Sequence, residues 1–347
     1  MKIFALKLSI IITPFIFLVT ITNFLIDPAN IFGAKKYVSG IAEILSRGHN
    51  VDNIANYDER LLQEQMVQKL ARTPDIVVIG SSRIMEIGTD FFRGKYVLNC
   101  GVSHANIYDL ISITGLLDSF HRIPSQMIIN LDPDVVGEGG TLEWQSLMPY
   151  HESFWEKAPG RSNLKDINQG ANDLKKAYAL FSFDYFSQSL AFLLRGAKKE
   201  YFDVQSQRPK VYGRFSDGTI SYSFKHMNPD SSQVALDARV TGSRSGIPTP
   251  DTAKMRLLNL LLDYLQSKNV KLEFLMLPFH KEYYNAVNVS HKNLFYTYDS
   301  LFRNLASERH IMIYGSFDPS KFNITERQFY DMYHCSKEAI KKIYNSE

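Results

Sequence analysis

Short apolar runs of branched aliphatic residues recur along the chain, separated by segments with helical spacing. Three of them, PDIVVIGSSR, KYVLNCGVS and QMIINLDPD, lie between residues 74 and 134, and VKLEFLMLPFH and HIMIYGS follow nearer the C-terminus. A short, continuous apolar run bounded by glycine or proline is typical of a strand that is buried on both faces. The five runs therefore predict an α/β fold, a three-layer sandwich with a central parallel sheet.

The segments between these runs predict helices. The spacing of apolar residues is helical in YDERLLQEQMVQKLAR, SRIMEIGTDFF, NIYDLISITGLLDSF, TPDTAKMRLLNLLLDYLQSKN, LFYTYDSLFRNLASER and SKEAIKKIYNSE. Residues 137–249 interrupt the alternation with aromatics, glycines and serines. Within them NDLKKAYALFSFDYFSQSLAFLL predicts helical pieces and VYGRFSDGTISYSF strand-like tracts. We interpret this region as an insertion or cap on the sheet.

The N-terminal segment has the strongest apolar character in the chain. No charged residue occurs from Leu8 to Ile26, whereas Lys2 and Lys7 precede this run and Asp27 follows it. The run is about long enough to cross a hydrocarbon layer of roughly 30 Å, and the flanking charges place the N-terminus in the cytoplasm. A cleaved signal peptide is the competing interpretation, but its apolar region would be shorter.

These patterns divide the chain into three parts. Residues 1–27 are expected to form a single-pass anchor in the cytoplasmic (inner) membrane, and residues 28–73 a juxtamembrane segment. Residues 74–347 then form the α/β domain on the periplasmic, extracytoplasmic side, with the insertion at about 137–249.

Composition narrows the classes of function. Of the 347 residues 45% are hydrophobic, and the net charge of +3 includes no concentrated basic tract, which argues against nucleic-acid binding. The two cysteines, Cys100 and Cys335, are compatible with one disulfide or with two buried thiols. No histidine shows metal-ligand spacing, so we expect neither a metal nor a cofactor.

Residues suited to nucleophilic catalysis follow the first and last predicted strands. Ser81 and Ser82 come directly after DIVVIG, and Asp331 and His334 lie between the last strand and the terminal helix. A carboxylate three residues before a histidine can hold the imidazole as an oriented base, which a serine nucleophile requires. The alternative is structural: a serine before a helix is an ordinary N-cap, and Asp-x-x-His is a common tetrapeptide.

Four blocks in this order resemble those of the SGNH (GDSL-like) hydrolases. They are IGSSR after the first strand, NCGVS after the second, NLDPD after the third and DMYH near the C-terminus. The resemblance spans roughly residues 74–347 and implies a flavodoxin-like sheet. Within the family the chain is most similar to membrane-anchored members, the alginate O-acetylation proteins and the teichoic-acid D-alanyl transfer protein; the latter similarly has Gly-Ser-Ser in place of Gly-Asp-Ser.

The resemblance implies a role for each matching residue. Ser82 takes the nucleophile position, Ser81 the position of the family aspartate, His334 that of the base and Asp331 that of its orienting carboxylate. The oxyanion would be held by the N–H groups of Ser82 and Gly101 and by an asparagine side chain.

The third block departs from the family pattern Gly-x-Asn-Asp. Asn130 lies inside the predicted strand and Asp132 at its end, so a carboxylate stands where an oxyanion donor is expected unless Asn106 or another group replaces it. Two further residues are candidates for lining the substrate site. Arg83 could contact an anionic or sugar substrate, and His280 ends a strand at the same edge; a surface arginine and a solvated loop histidine are the alternatives.

The resulting expectation is a membrane-anchored serine esterase or O-acyltransferase that moves or removes an acyl group, most plausibly acetyl, on a cell-surface polysaccharide or acylated sugar. The resemblance further implies a multi-span membrane acyltransferase as a partner. The alternative is a catalytically inactive SGNH-like subunit that binds or assembles a polysaccharide modification or export complex.

Overall fold

The computed structural model describes residues 2–27, 32, 34–158, 178, 180–194, 200–244, 247–291 and 293–345. Two sheets organise this part of the chain, one of five strands and one of four. The strands are β1 (Val51–Asp52), β2 (Ile76–Ile79), β3 (Val97–Asn99), β4 (Gln126–Asn130), β5 (Phe202–Asp203), β6 (Gly213–Arg214), β7 (Ile220–Ser221), β8 (Lys271–Met276) and β9 (Met312–Gly315).

The five predicted apolar runs form the larger sheet, and all of its strand pairs are parallel. Its order is β3-β2-β4-β8-β9. The chain runs from β2 to β3 on one side of β2 and then crosses to β4 on the other side. The direction of winding therefore reverses between β2 and β4. In sheets of this doubly wound order, ligands bind beyond the carboxyl ends of the strands at this switch point.

Helices cover both faces of this sheet. The helices of the described residues are α1 (Lys2–Ile26), α2 (Ala34–Ser46), α3 (Glu59–Gln68), α4 (Ile107–Ser119), α5 (Pro133–Val136), α6 (Met148–Lys157), α7 (Phe183–Leu194), α8 (Phe224–Met227), α9 (Ser231–Arg244), α10 (Thr252–Ser267), α11 (Lys281–Ser290), α12 (Leu294–Glu308) and α13 (Lys337–Tyr344).

The alternation of side chains along β2 separates two cores. Val77 and Ile79 pack in the larger one with α4 and α10, whereas Ile76 and Val78 pack with α13 in the smaller one. All four residues of β2 are buried, as expected for a strand with helices on both faces. The predicted α/β class and parallel sheet are confirmed.

The smaller sheet joins β1, from residues 28–73, to strands from residues 137–249. Its order is β5-β1-β6-β7 and its pairs are antiparallel. The Ile220 N–H of β7 donates to the carbonyl of Met85, and the Asn99 N–H at the end of β3 donates to the carbonyl of Asp217. The insertion therefore packs against the carboxyl edge of the parallel sheet, beside the turn after β2.

One predicted helix is wrong. SRIMEIGTDFF forms two short 3-10 turns, Ser82–Ile84 and Thr89–Phe91, separated by Gly88 in an extended conformation. The side chain of Asn99 accounts for the interruption, because its amide donates to the carbonyls of Ile84 and Ile87 at 2.7 and 2.9 Å. These carbonyls would otherwise accept helical hydrogen bonds.

Two predictions concern segments that are described only in part. The N-terminal run is helical in α1, although the side chains of residues 2–9 and 11 lie outside the described set. Over the described part of the chain, no helix is long and apolar enough to span a membrane. The helical pieces predicted from residue 172 onward are seen in α7, whereas residues 172–177 lie outside the described residues.

Gly80 fixes the approach of β2 to β4 at the switch point. Its φ is +150°, and a Cβ placed there would lie 2.4 Å from the Cβ of Asn130 on β4. Any larger residue must push these two strand ends apart.

We predict that Gly80→Ala lowers the free energy of unfolding by about 2–4 kcal/mol, because it adds a steric clash to an unfavourable backbone conformation. Gly94→Ala is the matched control, since Gly94 has a φ of +72° but no atom within 4 Å of the added methyl, and it should cost only about 1 kcal/mol. Urea unfolding of both variants measures the difference; equal losses would contradict the close approach.

Candidate active site

The turn after β2 presents two adjacent serines in different environments. Ser81 is the N-cap of the 3-10 turn Ser82–Ile84, and its Oγ accepts the Arg83 N–H at 3.3 Å. Ser81 is buried, and its hydroxyl also contacts Asn130 Oδ1 and an Asp132 carboxylate oxygen. Ser82 is half-buried and begins the turn. Of the two serines, Ser82 is therefore the more exposed to solvent.

Ser82 lies in contact with the histidine from the other end of the chain. Its Oγ is 2.9 Å from His334 Nε2, and His334 Nδ1 is 2.8 Å from Asp331 Oδ2. An ionised carboxylate only accepts, so a neutral imidazole here carries its proton on Nδ1 and the lone pair on Nε2, to which the Ser82 hydroxyl then donates. The structure thus brings together the three residues that sequence analysis proposed for catalysis.

Backbone groups hold the orienting carboxylate in place. Asp331 Oδ1 accepts the N–H groups of Tyr333 at 2.7 Å and His334 at 2.8 Å, so the loop folds around its own carboxylate. Burial acts to raise the pKa of Asp331, but the hydrogen bonds from the imidazole and from these two N–H groups outweigh it and lower the pKa to about 2. Asp331 therefore remains ionised at neutral pH.

The Arg83 side chain connects several loops around the site, and the expectation that it lines the substrate site is wrong. The side chain is buried, with its Nε donating to the Tyr333 carbonyl at 2.9 Å and Nη1 lying 2.5 Å from Asp132 Oδ1. Its Nη2 donates to the carbonyls of Leu277 at 2.6 Å and Pro278 at 2.8 Å. The guanidinium thereby joins the loops after β2, β4 and β8 to the loop that carries His334.

One of the three expected oxyanion donors, the Gly101 N–H, is already engaged, because it donates to Asn99 Oδ1 at 2.8 Å. The Asn130 side chain is buried, and one hydrogen of its amide is donated to the Leu275 carbonyl at 3.2 Å while its Oδ1 accepts from Ser81. The role implied for the Gly101 N–H is therefore corrected. Of the two backbone donors expected, the Ser82 N–H alone has no protein acceptor among the described residues.

The carboxylate of Asp132 does not stand unpaired at the end of β4. It is buried and ion-paired with Arg83, and it accepts from the Ser81 hydroxyl. Asn106, considered as a replacement donor, is the N-cap of α4 and donates from its side chain to the Thr141 carbonyl.

His280 and the two cysteines are buried in the fold. His280 is fully buried as the N-cap of α11, where its Nδ1 accepts the Glu282 N–H at 3.3 Å, so the expectation that it lines the substrate site is wrong. Cys100 and Cys335 are both buried free thiols, which resolves the two sequence alternatives. Burial raises the pKa of each thiol to about 12, so neither is a thiolate nucleophile at neutral pH.

Sequence analysis missed a set of buried ion pairs beneath the loop after β3. Arg60 pairs with Asp109 at 2.9 Å, and Arg214 from the insertion pairs with Glu59 at 3.1 Å. The other Glu59 oxygen accepts the Ser103 N–H at 2.6 Å. Such partners are distant in sequence, and no local motif marks them.

The insertion also contributes an aromatic cluster beside the triad loop. The rings of Tyr222 and His226 stack with centroids 4.5 Å apart, and both pack against Tyr330, the residue before Asp331. The Tyr330 hydroxyl lies 3.4 Å from Glu86. Burial raises the pKa of the Glu86 carboxyl to about 7, although the contact with Tyr330 and the charge of Lys337 lower it.

Comparison with known proteins gave no match, either to a family model or to a curated protein. Within the described residues, no group of three or more His, Cys, Asp or Glu side chains is arranged to hold a metal ion.

We predict that Arg83→Met destabilises the chain by about 3–5 kcal/mol, because it leaves the buried Asp132 carboxylate without its cation. Adding Asp132→Asn should recover part of this loss, and a double-mutant cycle by urea unfolding measures the coupling. Arg239→Met, which breaks an exposed pair with Glu282, is the control and should cost at most about 1 kcal/mol. Strictly additive effects of the Arg83 and Asp132 changes would show that the two side chains do not stabilise each other, which would contradict the proposed role of this ion pair.

The buried Glu86 carboxyl predicts a pH-dependent loss of stability. Its pKa in the folded chain, about 7, lies above the ordinary glutamate value of 4.5, so the folded state holds the proton more tightly and stability falls as pH rises between these values. Glu86→Gln abolishes this fall, and its stability relative to wild type should increase by up to about 3 kcal/mol from pH 4 to pH 8. Urea unfolding across pH tests this, with the exposed Glu156→Gln as control. A difference independent of pH would count against a raised pKa.

Proposed function

We propose that the protein is a serine esterase or O-acyltransferase. The observation that carries the proposal is the continuous hydrogen-bonded chain from Ser82 Oγ through His334 to Asp331, with distances of 2.9 and 2.8 Å. A serine hydroxyl is a weak nucleophile unless a base takes its proton, and an oriented neutral imidazole is the usual base. This series of hydrogen bonds is accessible from solvent, because Ser82 and His334 are only half-buried.

The proposed reaction has two halves. Ser82 Oγ attacks the acyl carbonyl carbon and its proton passes to His334 Nε2, while the Asp331 carboxylate stabilises the imidazolium. The same proton then leaves with the alcohol oxygen as the C–O bond breaks, giving an acyl-Ser82 ester. Water or a sugar hydroxyl next gives its proton to Nε2 and attacks the ester carbonyl. Nε2 then returns that proton to Ser82 Oγ as the ester C–O bond breaks, which frees Ser82 and releases the acid or the new acyl sugar. The Ser82 N–H supplies one donor to the oxyanion in each half.

Resemblance to SGNH hydrolases supports the choice of substrate. The four sequence blocks, the strand order and the position of His334 before the terminal helix are all compatible with that family. The membrane-anchored members that the sequence resembles are tied to surface polymers. We therefore propose an acetyl group on a cell-surface polysaccharide or acylated sugar as the substrate, no cofactor, and a multi-span membrane acyltransferase as a partner that supplies the acyl group.

The proposed location is the cytoplasmic membrane, with the α/β domain on the extracytoplasmic side. It is supported by the charge-free sequence from Leu8 to Ile26 and by the lysines that precede it. The large apolar side chains of α1 point outward, with Phe17 64% exposed and Leu25 71% exposed. A surface of this kind is uncommon in water.

A second function is favoured by the engaged oxyanion donors. Because the Gly101 N–H and the Asn130 amide both have protein acceptors, the site offers less stabilisation to an oxyanion than the family pattern implies. An inactive binding or assembly subunit of a polysaccharide modification or export complex would retain the fold without this requirement.

Labelling with a fluorophosphonate separates the two functions. We predict that the purified full chain is labelled on Ser82, that Ser82→Ala and His334→Ala abolish labelling, and that Asp331→Asn slows it by about two to four orders of magnitude. Peptide mass spectrometry locates the label. The control is Ser290→Ala at an exposed serine far along the chain, which should leave the rate unchanged.

A folded chain that takes up no label at Ser82 would contradict the esterase proposal. That result would instead favour the assembly role, in which loss of one hydroxyl leaves function intact. Circular dichroism of each variant separates loss of reactivity from loss of structure.

A further inference from the structure

The insertion helix α7 carries an exposed apolar stripe. Phe183, Leu190 and Leu194 are 59%, 42% and 80% exposed, and Leu193 extends the same face. Successive residues of an α-helix are about 100° apart, which places these side chains on one side of α7. Asp184 and Gln188 are also exposed and lie on the adjoining side, about 100° and 140° around the helix from Phe183, with Ser187 at the boundary. The exposed surface of the helix therefore has an apolar side and an adjoining polar side.

A third face of α7 packs against α1 through polar groups. The Asn23 amide donates to the carbonyls of Leu180 and Ser182 at 3.0 Å, and Ser189 Oγ lies 3.5 Å from Asn23 Oδ1. The Tyr185 hydroxyl donates to Asp27 Oδ1 at 2.7 Å. Asn23 and Ser189 are fully buried in this contact.

The contact between α1 and α7 thus contains buried polar groups, whereas large apolar side chains of both helices are exposed. A helix packed onto a water-soluble body shows the reverse arrangement, with its apolar stripe facing the core. Polar side chains that join two helices while apolar ones face outward are typical of helices in lipid. A helix with one apolar side and one charged or polar side is typical of a membrane surface, where it lies in the plane of the interface.

The apolar stripe is continuous with the outward side chains of α1. The rings of Phe15 and Phe183 pack with centroids 6.4 Å apart, so the two exposed surfaces meet. Three basic residues, Arg195, Lys198 and Lys199, follow α7 directly in the sequence, and basic residues beside an apolar helix favour anionic headgroups.

We propose that α7 is an interfacial membrane helix, with lipid acyl chains covering Phe183, Leu190, Leu193 and Leu194 and with Asp184 and Gln188 facing water. The proposal rests on the membrane location proposed for α1. Lipid fits this surface better than a second copy of the chain, because the stripe continues into the exposed apolar side chains of α1. The insertion would then hold the candidate active site at the membrane surface through the four-stranded sheet.

Nitroxide accessibility in vesicles tests this proposal on the full chain. Spin labels are attached to Leu190→Cys and Leu194→Cys on the apolar face, to the matched control Gln188→Cys, and to Phe17→Cys on α1. The unsubstituted chain is treated with the same spin label, which measures any labelling of its two buried cysteines. The vesicles contain phosphatidylethanolamine with a minor fraction of phosphatidylglycerol, and collisions with oxygen and with a water-soluble nickel chelate are compared.

The ratio of oxygen to nickel collisions should be several-fold higher at Leu190 and Leu194 than at Gln188. A low ratio at both apolar sites with a high ratio at Phe17 would overturn the interfacial helix and leave the anchor standing. A low ratio at Phe17 as well would overturn the membrane location itself. Shielding of Leu190 and Leu194 from both reagents would indicate a second protein copy and would also overturn the proposal. Leu194 is the more exposed position, so its substitution tests the idea even if Leu190→Cys fails to fold.

Discussion

The ion pair between Arg83 and Asp132 is the interaction on which the geometry of the site depends. Both groups are buried, and a buried guanidinium is tolerated only when its donors are satisfied. Here those donors reach the carbonyls of Tyr333, Leu277 and Pro278. One side chain next to Ser82 therefore fixes the backbone next to His334, across 250 residues of sequence.

The doubly wound sheet makes this arrangement available. Its carboxyl edge gathers the turn after β2, the end of β4 and the loop after β8, and the close approach of Gly80 to Asn130 sets how near the first two lie. The insertion completes the surroundings, since β7 bonds to Met85 and the aromatic cluster packs on Tyr330. The proposed interfacial helix belongs to the same insertion, which would link the position of the membrane to the position of the site.

The sequence predicted the strands well because each is a continuous apolar run whose burial depends on local composition. It likewise paired Ser82 with Asp331 and His334, since the order of strands sends both loops to one edge. It could not predict contacts that depend on tertiary partners. The helix expected from Ser82 was interrupted by Asn99, and the donors of Gly101 and Asn130 were engaged by Asn99 and Leu275. Arg83 appeared as a substrate contact because its acceptors are distant backbone carbonyls.

The central claim is that Ser82 is an activated nucleophile that forms an acyl ester, and rapid-quench mass spectrometry observes that ester directly. The full chain is mixed with p-nitrophenyl acetate, stopped in acid within one turnover and digested. We predict one added acetyl group on the peptide that contains Ser82 in the wild-type chain, and none on that peptide in His334→Ala. Release of p-nitrophenol with no acetyl group on that peptide, or an equal yield in His334→Ala, would contradict it.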